Sequence, residues 1–105
     1  MKTEKKIRLE KAGFRVGSAA EFLKLTPEES TLVNMRLALA GAVRGRRARL
    51  GFSQSELARR LGSSQSRVAK LEAGESNVSF DLLVRAMLAT GAKSRDVGQV
   101  IAAGK

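Results

Sequence analysis

The longest regular pattern of apolar residues follows Thr26 and has helical spacing. Thr26 fits the N-cap and Pro27 the first helical position. The steps of three and four residues predict one helix over 27–50 that ends at Gly51. A break near Gly41–Gly45 is the alternative, because each interior glycine weakens a helix by about 1 kcal/mol. We expect the apolar face to pack in the core, with a dimer contact as the alternative. Its residues are Leu32, Met35, Leu39 and Val43.

Four shorter helices are predicted after this one, each opened by a capping residue. They are a helix opened by Ser53 with Glu56 and ending at Leu61; a helix over 65–73 capped by Ser64 and closed by Gly74; a helix opened by Ser79 and Asp81 and ended at Gly91; and a short helix opened by Ser94 and Asp96. In the last helix, Val97, Val100 and Ile101 pack on the core or against a second copy. The predicted fold class is therefore all-α, with five helices in a domain over 27–105.

Residues 1–26 form a separate N-terminal extension in this prediction. Ser18 and Glu21 have capping-box spacing, which predicts a short helix over 19–24. Before it, apolar residues alternate with polar ones and indicate a short strand or extended segments, with a disordered basic tail as the alternative. Phe14 and Phe22 are expected to pack on the core. The alternating residues are Ile7, Leu9, Phe14 and Val16.

The composition argues against catalysis and membrane insertion. The chain contains neither Cys nor His, which removes thiolate and imidazole ligands and the Ser-His and Cys-His catalytic arrangements. We expect no enzyme activity, no cofactor and no metal. No run of 18 apolar residues and no secretory signal are visible. A cytoplasmic protein is the expectation.

Charge points to a polyanionic partner. The 105 residues carry 20 Lys and Arg against 10 Asp and Glu, a net charge of +10. Residues 31–52 hold five arginines and no acid. Such a field attracts polyanions, and nucleic acid is favoured over an anionic membrane surface or an acidic protein.

Two of the short helices, joined across Gly62 and Ser63, make a helix-turn-helix candidate. Gly62 permits the positive φ that the turn needs. The predicted apolar contact between the helices is formed by Leu57, Ala58, Leu61, Val68 and Leu71. The outward face of the second helix is polar and lacks acids, which suits the major groove of DNA. Its residues are Gln65, Ser66, Arg67, Ala69 and Lys70.

The run from Gly51 to Gly74, GFSQSELARRLGSSQSRVAKLEAG, resembles the Cro/lambda-repressor (XRE) family, as does Ser79–Leu83. The resemblance implies a five-helix lambda-repressor-like fold that binds double-stranded DNA. It implies base contacts from Gln65, Ser66 and Lys70. Glutamine pairs bidentately with adenine, and lysine reaches guanine O6 and N7. Arg67 is expected at a base or a phosphate, and Ala69 at a thymine methyl group.

Other residues are expected to position the protein on the DNA backbone. The amides at the start of the first motif helix, with Gln54, suit a phosphate, and the Ser64 end of the recognition helix suits another. By resemblance Asn77 faces the opposite backbone, and Arg44 and Arg46 add attraction. The resemblance also implies a structural ion pair between Arg47 and Glu72, which takes Arg47 out of the DNA contacts.

The function expected from these features is sequence-specific transcriptional regulation, with repression as its sense. The regulator would bind an inverted-repeat operator as a homodimer, with half-sites about 34 Å apart. The chain is also similar to HigA-type antitoxins of type II toxin-antitoxin pairs, which implies a small ribonuclease toxin bound through residues 1–26. The alternative is a nonspecific nucleoid-type protein that binds nucleic acid.

Overall fold

The computed structural model describes residues 25–104, which form five α-helices and no strand. The short helix predicted over 19–24, the strand-like segments before it, and Phe14 and Phe22 lie outside the described residues. The helices are α1, Pro27–Leu50; α2, Gln54–Leu61; α3, Gln65–Glu72; α4, Phe80–Ala89; and α5, Ser94–Ala103. The all-α prediction is confirmed.

Helix α1 begins with a complete capping box. The Glu29 amide donates to Thr26 Oγ1 at 3.0 Å, and the Thr26 amide donates to Glu29 Oε1 at 2.9 Å. The helix is continuous through both interior glycines and ends at Leu50. Gly51, at φ 78°, stops it in the left-handed region. The single helix over 27–50 is therefore confirmed, and the alternative of a break is wrong.

Helices α2 and α3 are each opened by a serine. Ser53 accepts from the amide of Glu56 at 3.0 Å, and Ser64 accepts from the amide of Arg67 at 3.2 Å. Between the helices, Gly62 has φ 67°, a conformation that costs a residue with a Cβ about 1–2 kcal/mol. The turn of the predicted helix-turn-helix forms where the sequence placed it.

The Glu56 carboxylate binds arginines of its own helix. It accepts from Arg59 at 2.5 Å and from Arg60 at 2.8 Å, and the Arg60 guanidinium lies 4.1 Å from the centre of the Phe52 ring. The bond from Arg59, with the bond from Arg60 and the charges of both arginines, outweighs desolvation and lowers the pKa of Glu56. One of the two positive charges on this surface of α2 is thus compensated, and both arginines are engaged in ion pairs.

Helices α4 and α5 begin differently from each other. Ser79 accepts from the amide of Leu82 at 3.0 Å, as a serine cap does. At α5 the N-cap is Lys93, while Ser94 is the first helical residue. The Asp96 carboxylate accepts from the Lys93 amide at 2.8 Å. Our expectation that Ser94 caps this helix is corrected, because Asp96 satisfies the backbone amide one residue earlier.

The chain divides into two compact units, Met1–Asn34 and Met35–Lys105, and the described core lies in the second. On α1, Leu39 and Val43 are fully buried and Met35 is half-buried, as expected. Leu32 shares their face of the helix but is 43% exposed, so its predicted core role is wrong. The buried core comprises Leu39, Ala40, Val43, Leu57, Ala58, Leu61, Val68, Leu71, Val78, Leu82, Leu83, Ala86, Met87, Ala92 and Val97.

The sequence left the apolar residues of α5 open between core and dimer contact. Val97 is buried, and Val100 and Ile101 are partly buried against the core. The apolar face of α5 therefore packs within this unit. Of the two alternatives for Val97, core packing is the one that the structure shows.

Candidate nucleic-acid interface

Helix α3 is held against α2 by its apolar side. Val68 and Leu71 are completely buried, in the same cluster as Leu57, Ala58 and Leu61 of α2. Burying side chains of this size stabilises a fold by about 1.5–3 kcal/mol each. The packing fixes which side of α3 faces outward.

That outward side carries the residues predicted to contact bases. Gln65, Ser66, Arg67 and Lys70 are exposed, while Ala69 is half-buried. The first turn of α3 contains no acid. The five residues therefore form one polar, cationic surface at the positive end of the helix dipole.

The one acid of α3, Glu72, points into the protein and binds Arg47 of α1. Arg47 Nε lies 2.5 Å from Glu72 Oε2, and its Nη2 lies 2.9 Å from Oε1. Nη1 of the same arginine donates to the Phe52 carbonyl at 2.9 Å. The structure thus brings together the two residues expected to form an ion pair, and all three guanidinium nitrogens are used.

Burial and bonding act on the Glu72 carboxyl in opposite directions. Its side chain is only 3% exposed, and burial raises its pKa. The bonds from Arg47 and Gln54, with the fields of Arg47 and Arg44, outweigh burial and hold the pKa below its ordinary value. Hydrogen bonding to Glu72 likewise raises the pKa of Arg47. The charged pair is therefore the stable form near neutral pH.

Gln54 connects this ion pair to the exposed end of α3. Gln54 Nε2 donates to Glu72 Oε1 at 3.1 Å, and Gln54 Oε1 accepts from Gln65 Nε2 at 2.6 Å. The chain of bonds runs from half-buried Arg47 through buried Glu72 to exposed Gln65. The sequence placed Gln54 at a phosphate and did not foresee this bridge. The signal available was that each glutamine is the first residue of its helix.

The residues predicted to contact phosphates are spread over two sides of the protein. Ser64 and Asn77 line one cleft of about 340 Å³ together with Ser66, Arg67 and Lys70. The Ser64 and Ser66 hydroxyls lie 3.3 Å apart. Ser64 and Asn77 therefore share one cleft beside α3 with three of the predicted base-contacting residues.

Arg44 and Arg46 have different surroundings. Arg44 is exposed and is close enough to Glu72 for its charge to lower that pKa. Arg46 is half-buried, and its Nε donates to Thr90 Oγ1 at 2.8 Å. The structure therefore does not bring Arg46 into the cleft beside α3, and its phosphate contact stays a prediction.

A further arginine contact escaped the sequence analysis. Arg36 of α1 donates through Nη1 to the carbonyl of Val78, in the loop before α4. Such a bond fixes the loop that carries Asn77. Only the Arg-rich composition of α1 hinted at it, since the acceptor is a backbone atom 42 residues away.

A metal-binding cluster and a membrane-spanning helix are both absent from the described residues. Between Leu25 and Gly104 no group of three or more His, Cys, Asp or Glu side chains is placed to hold a metal ion. No helix in this range is long and apolar enough to cross a membrane.

Comparison with known proteins gives one match. A helix-turn-helix family model matches residues 43–96, from the second half of α1 to the first turn of α5. Searches of curated proteins and of solved structures found no match. The matched range covers just over half of the chain and contains α2, α3 and α4 entirely. The chain therefore belongs to the Cro/lambda-repressor-like (XRE-type) helix-turn-helix family, a membership that supports a DNA-binding regulator.

Proposed function

We propose that this protein is a sequence-specific transcriptional regulator that reads operator DNA with α3. The observation that carries the proposal is the bond from Gln65 to Gln54. It uses one of the two hydrogens on Gln65 Nε2 and leaves the second hydrogen and the carbonyl oxygen available. Those are the donor and acceptor that pair with adenine N7 and N6 in the major groove. The protein thus presents an oriented amide before DNA arrives.

The neighbouring residues extend this readout. Ser66 offers a hydroxyl that donates or accepts at a base edge, and Lys70 lies one turn further along α3 for guanine O6 and N7. Arg67 serves a base or a phosphate, and Ala69 a thymine methyl group. Their differences in chemistry supply discrimination that a uniformly cationic surface lacks.

Backbone contacts set the register of this face. Ser64 and Asn77 line one cleft beside α3, while Gln54 binds Glu72 of the ion pair and Arg44 acts on it through its charge. Gln54 keeps its second amide hydrogen for a phosphate while its first holds Glu72. Contacts on both sides of a groove-bound helix restrict its rotation and its sliding.

The active species in this proposal is a homodimer on an inverted repeat. One eight-residue recognition helix reads only a few base pairs, and a two-fold dimer doubles the length. Its half-sites would lie about 34 Å apart, one turn of B-DNA. A dimer seated on a promoter excludes other proteins from it, which makes repression the expected effect.

A toxin partner is the finer form of this proposal. The similarity to HigA-type antitoxins supports it, with a small ribonuclease bound through residues 1–26. The toxin would then be the regulatory input, and the complex of the two proteins would repress its own promoter. Co-purification of the chain with the product of a neighbouring gene tests this part alone, and loss of the complex on removing residues 1–26 is the expected result.

A nonspecific nucleoid-type protein is the competing function, favoured by the net charge of +10. The test is fluorescence anisotropy on a duplex recovered by selection and on a scrambled duplex of equal length. We expect at least a thousandfold preference for the selected duplex at about 150 mM salt. Equal affinity for both duplexes would support the nonspecific alternative.

A further inference from the structure

Three cations of the described residues that make no ion pair lie beside α3. Of the seven arginines of α1 and α2, five have an intramolecular hydrogen bond, and Arg44 acts on Glu72 through its charge, which leaves Arg49 as the exception. Arg67, Lys70 and Arg85 have no ion pair within residues 25–104, and all three line clefts that flank α3. Arg67 and Lys70 have predicted DNA contacts from the sequence, whereas Arg85 has none.

Arg85 lies on α4 and lines a second cleft, of about 510 Å³, at the helix-turn-helix turn. Ser63 and Ser64 supply hydroxyl groups there, and Arg67 supplies a second guanidinium. Ser64, Arg67 and Leu82 also line the cleft that holds Lys70 and Asn77. The two clefts therefore adjoin, and Arg85 extends the cationic surface past the turn.

No carboxylate lines the cleft at the turn. Asp81, one turn before Arg85 on α4, makes no ion pair with it among the described residues. Two guanidinium groups that share a cleft without an acid repel each other, and an anion between them relieves the repulsion. Hydroxyl donors at the same place suit the oxygens of a phosphate.

We propose that this cleft binds a backbone phosphate of DNA, with Arg85 as its main contact. The inference rests on the proposed function, because the DNA that fills the cleft is the DNA that α3 reads. It adds α4 to the DNA-contacting elements, beyond the loop that carries Asn77. The contact is independent of base sequence, so Arg85 contributes affinity and register without discrimination.

The test compares Arg85→Gln with Arg95→Gln, a matched loss of one exposed charge on α5 outside this cleft. Anisotropy is measured on a selected and a random duplex over a salt series. We expect Arg85→Gln to weaken binding to both duplexes about tenfold and to reduce the slope of log K against log salt by about 0.9 per chain. Arg95→Gln should leave the slope unchanged. Equal slopes for the two variants would overturn the proposal.

A second measurement locates the phosphate and separates this proposal from the proposed function. Single phosphates of the duplex are replaced by neutral methylphosphonates. Replacement of the contacted phosphate should weaken binding by the wild type and leave binding by Arg85→Gln unaffected. In the salt series, Arg85→Lys keeps the charge and should retain the wild-type slope. If every replacement weakens DNA binding by both proteins equally, Arg85 does not contact a phosphate and the proposal is overturned. If the wild type binds all sequences equally, sequence-specific readout fails, yet the altered slope of Arg85→Gln still supports this site.

Discussion

The side chain of Gln65 is restrained by Gln54, and Gln54 is restrained in turn by the buried carboxylate of Glu72. A surface glutamine normally samples several rotamers, and each ordered rotamer costs entropy on binding. Here that cost is met in the free protein. The contribution of Gln65 to recognition therefore depends on Gln54, which binds it directly, and on Glu72, which binds Gln54.

Replacing Gln54 by alanine should weaken discrimination at the base pair that Gln65 reads. We expect a loss of about 1 kcal/mol at that pair, because Gln65 is no longer oriented. Ser55→Ala, at an exposed position of the same helix, is the control. The measurement is a double-mutant cycle of Gln54→Ala and Gln65→Ala on matched and mismatched duplexes. Strict additivity of the two changes would show that the bridge has no part in readout.

The buried ion pair predicts how stability depends on pH. The folded-state pKa of Glu72 is lowered from 4.5, so its contribution is complete above that value and is lost as pH falls through the lowered pKa. Glu72→Gln should cost about 2–4 kcal/mol at pH 7, since Arg47 is left without its counter-charge. It should also flatten the acid side of the stability curve. Urea unfolding between pH 2 and about 7 measures both effects.

Exposed Glu75 supplies the comparison for that experiment. Glu75→Gln removes the same charge without touching Arg47 or Gln54, and it should change stability by less than about 0.5 kcal/mol. If the Glu72 and Glu75 variants unfold alike at every pH, the pair with Arg47 does not stabilise the fold.

At the scale of elements, helix boundaries were predictable because capping is local. Thr26, Ser53, Ser64 and Ser79 each accept a backbone amide three residues ahead, so the sequence alone contains both partners. The start of α5 was predicted one residue late because both Ser94 and Asp96 are capping residues by type. In the structure the Asp96 carboxylate accepts from the Lys93 amide, which makes Lys93 the N-cap. The core position predicted for Leu32 was wrong because helical spacing shows which residues share a face of the helix, but it does not show where along the helix the core ends.

The close approach of α1 to the end of α3 depends on a glycine. Gly74 has φ 75°, and a Cβ there would lie 2.7 Å from Leu37 Cδ2. Gly74→Ala should therefore destabilise the fold by about 1–3 kcal/mol through backbone strain and the contact with Leu37. Thermal or urea unfolding measures the change.

Gly41 provides an opposite change within α1. It is a helical residue whose Cβ would meet no atom within 4 Å. Gly41→Ala should stabilise the protein by about 0.5–1 kcal/mol, because alanine loses less backbone freedom in a helix. Destabilisation by Gly41→Ala would mean that this side of α1 is covered in solution. A neutral Gly74→Ala would contradict the described packing of α1 beside α3.

At the scale of the whole molecule, the outward face of α3 was predictable and its supports were only partly so. Gln65, Ser66 and Lys70 follow from helical periodicity and the buried positions of Val68 and Leu71. The contacts of Arg36 with Val78 and of Arg46 with Thr90 join residues more than 40 positions apart. No local pattern predicts them, because both acceptors belong to other elements.

The charge of the molecule predicts a steep salt dependence of DNA binding. If about 6–8 phosphates are neutralised per dimer, the slope of log K against log salt is roughly −5 to −7. Arg44→Gln should weaken all duplexes about equally and flatten this slope by about 0.9 per chain. Anisotropy over a salt series measures it. A wild-type slope near zero would show that DNA binding does not depend on the net charge of +10.

The most direct test of the account is selection from a random duplex library at about 150 mM salt, with the wild type and Gln65→Ala in parallel. We expect the wild type to recover an inverted repeat with half-site centres about 10 base pairs apart. The variant should recover the same repeat with one base pair per half-site relaxed, a loss of about 1–3 kcal/mol there. No consensus from the wild type, or an identical consensus from both proteins, would contradict base readout by α3.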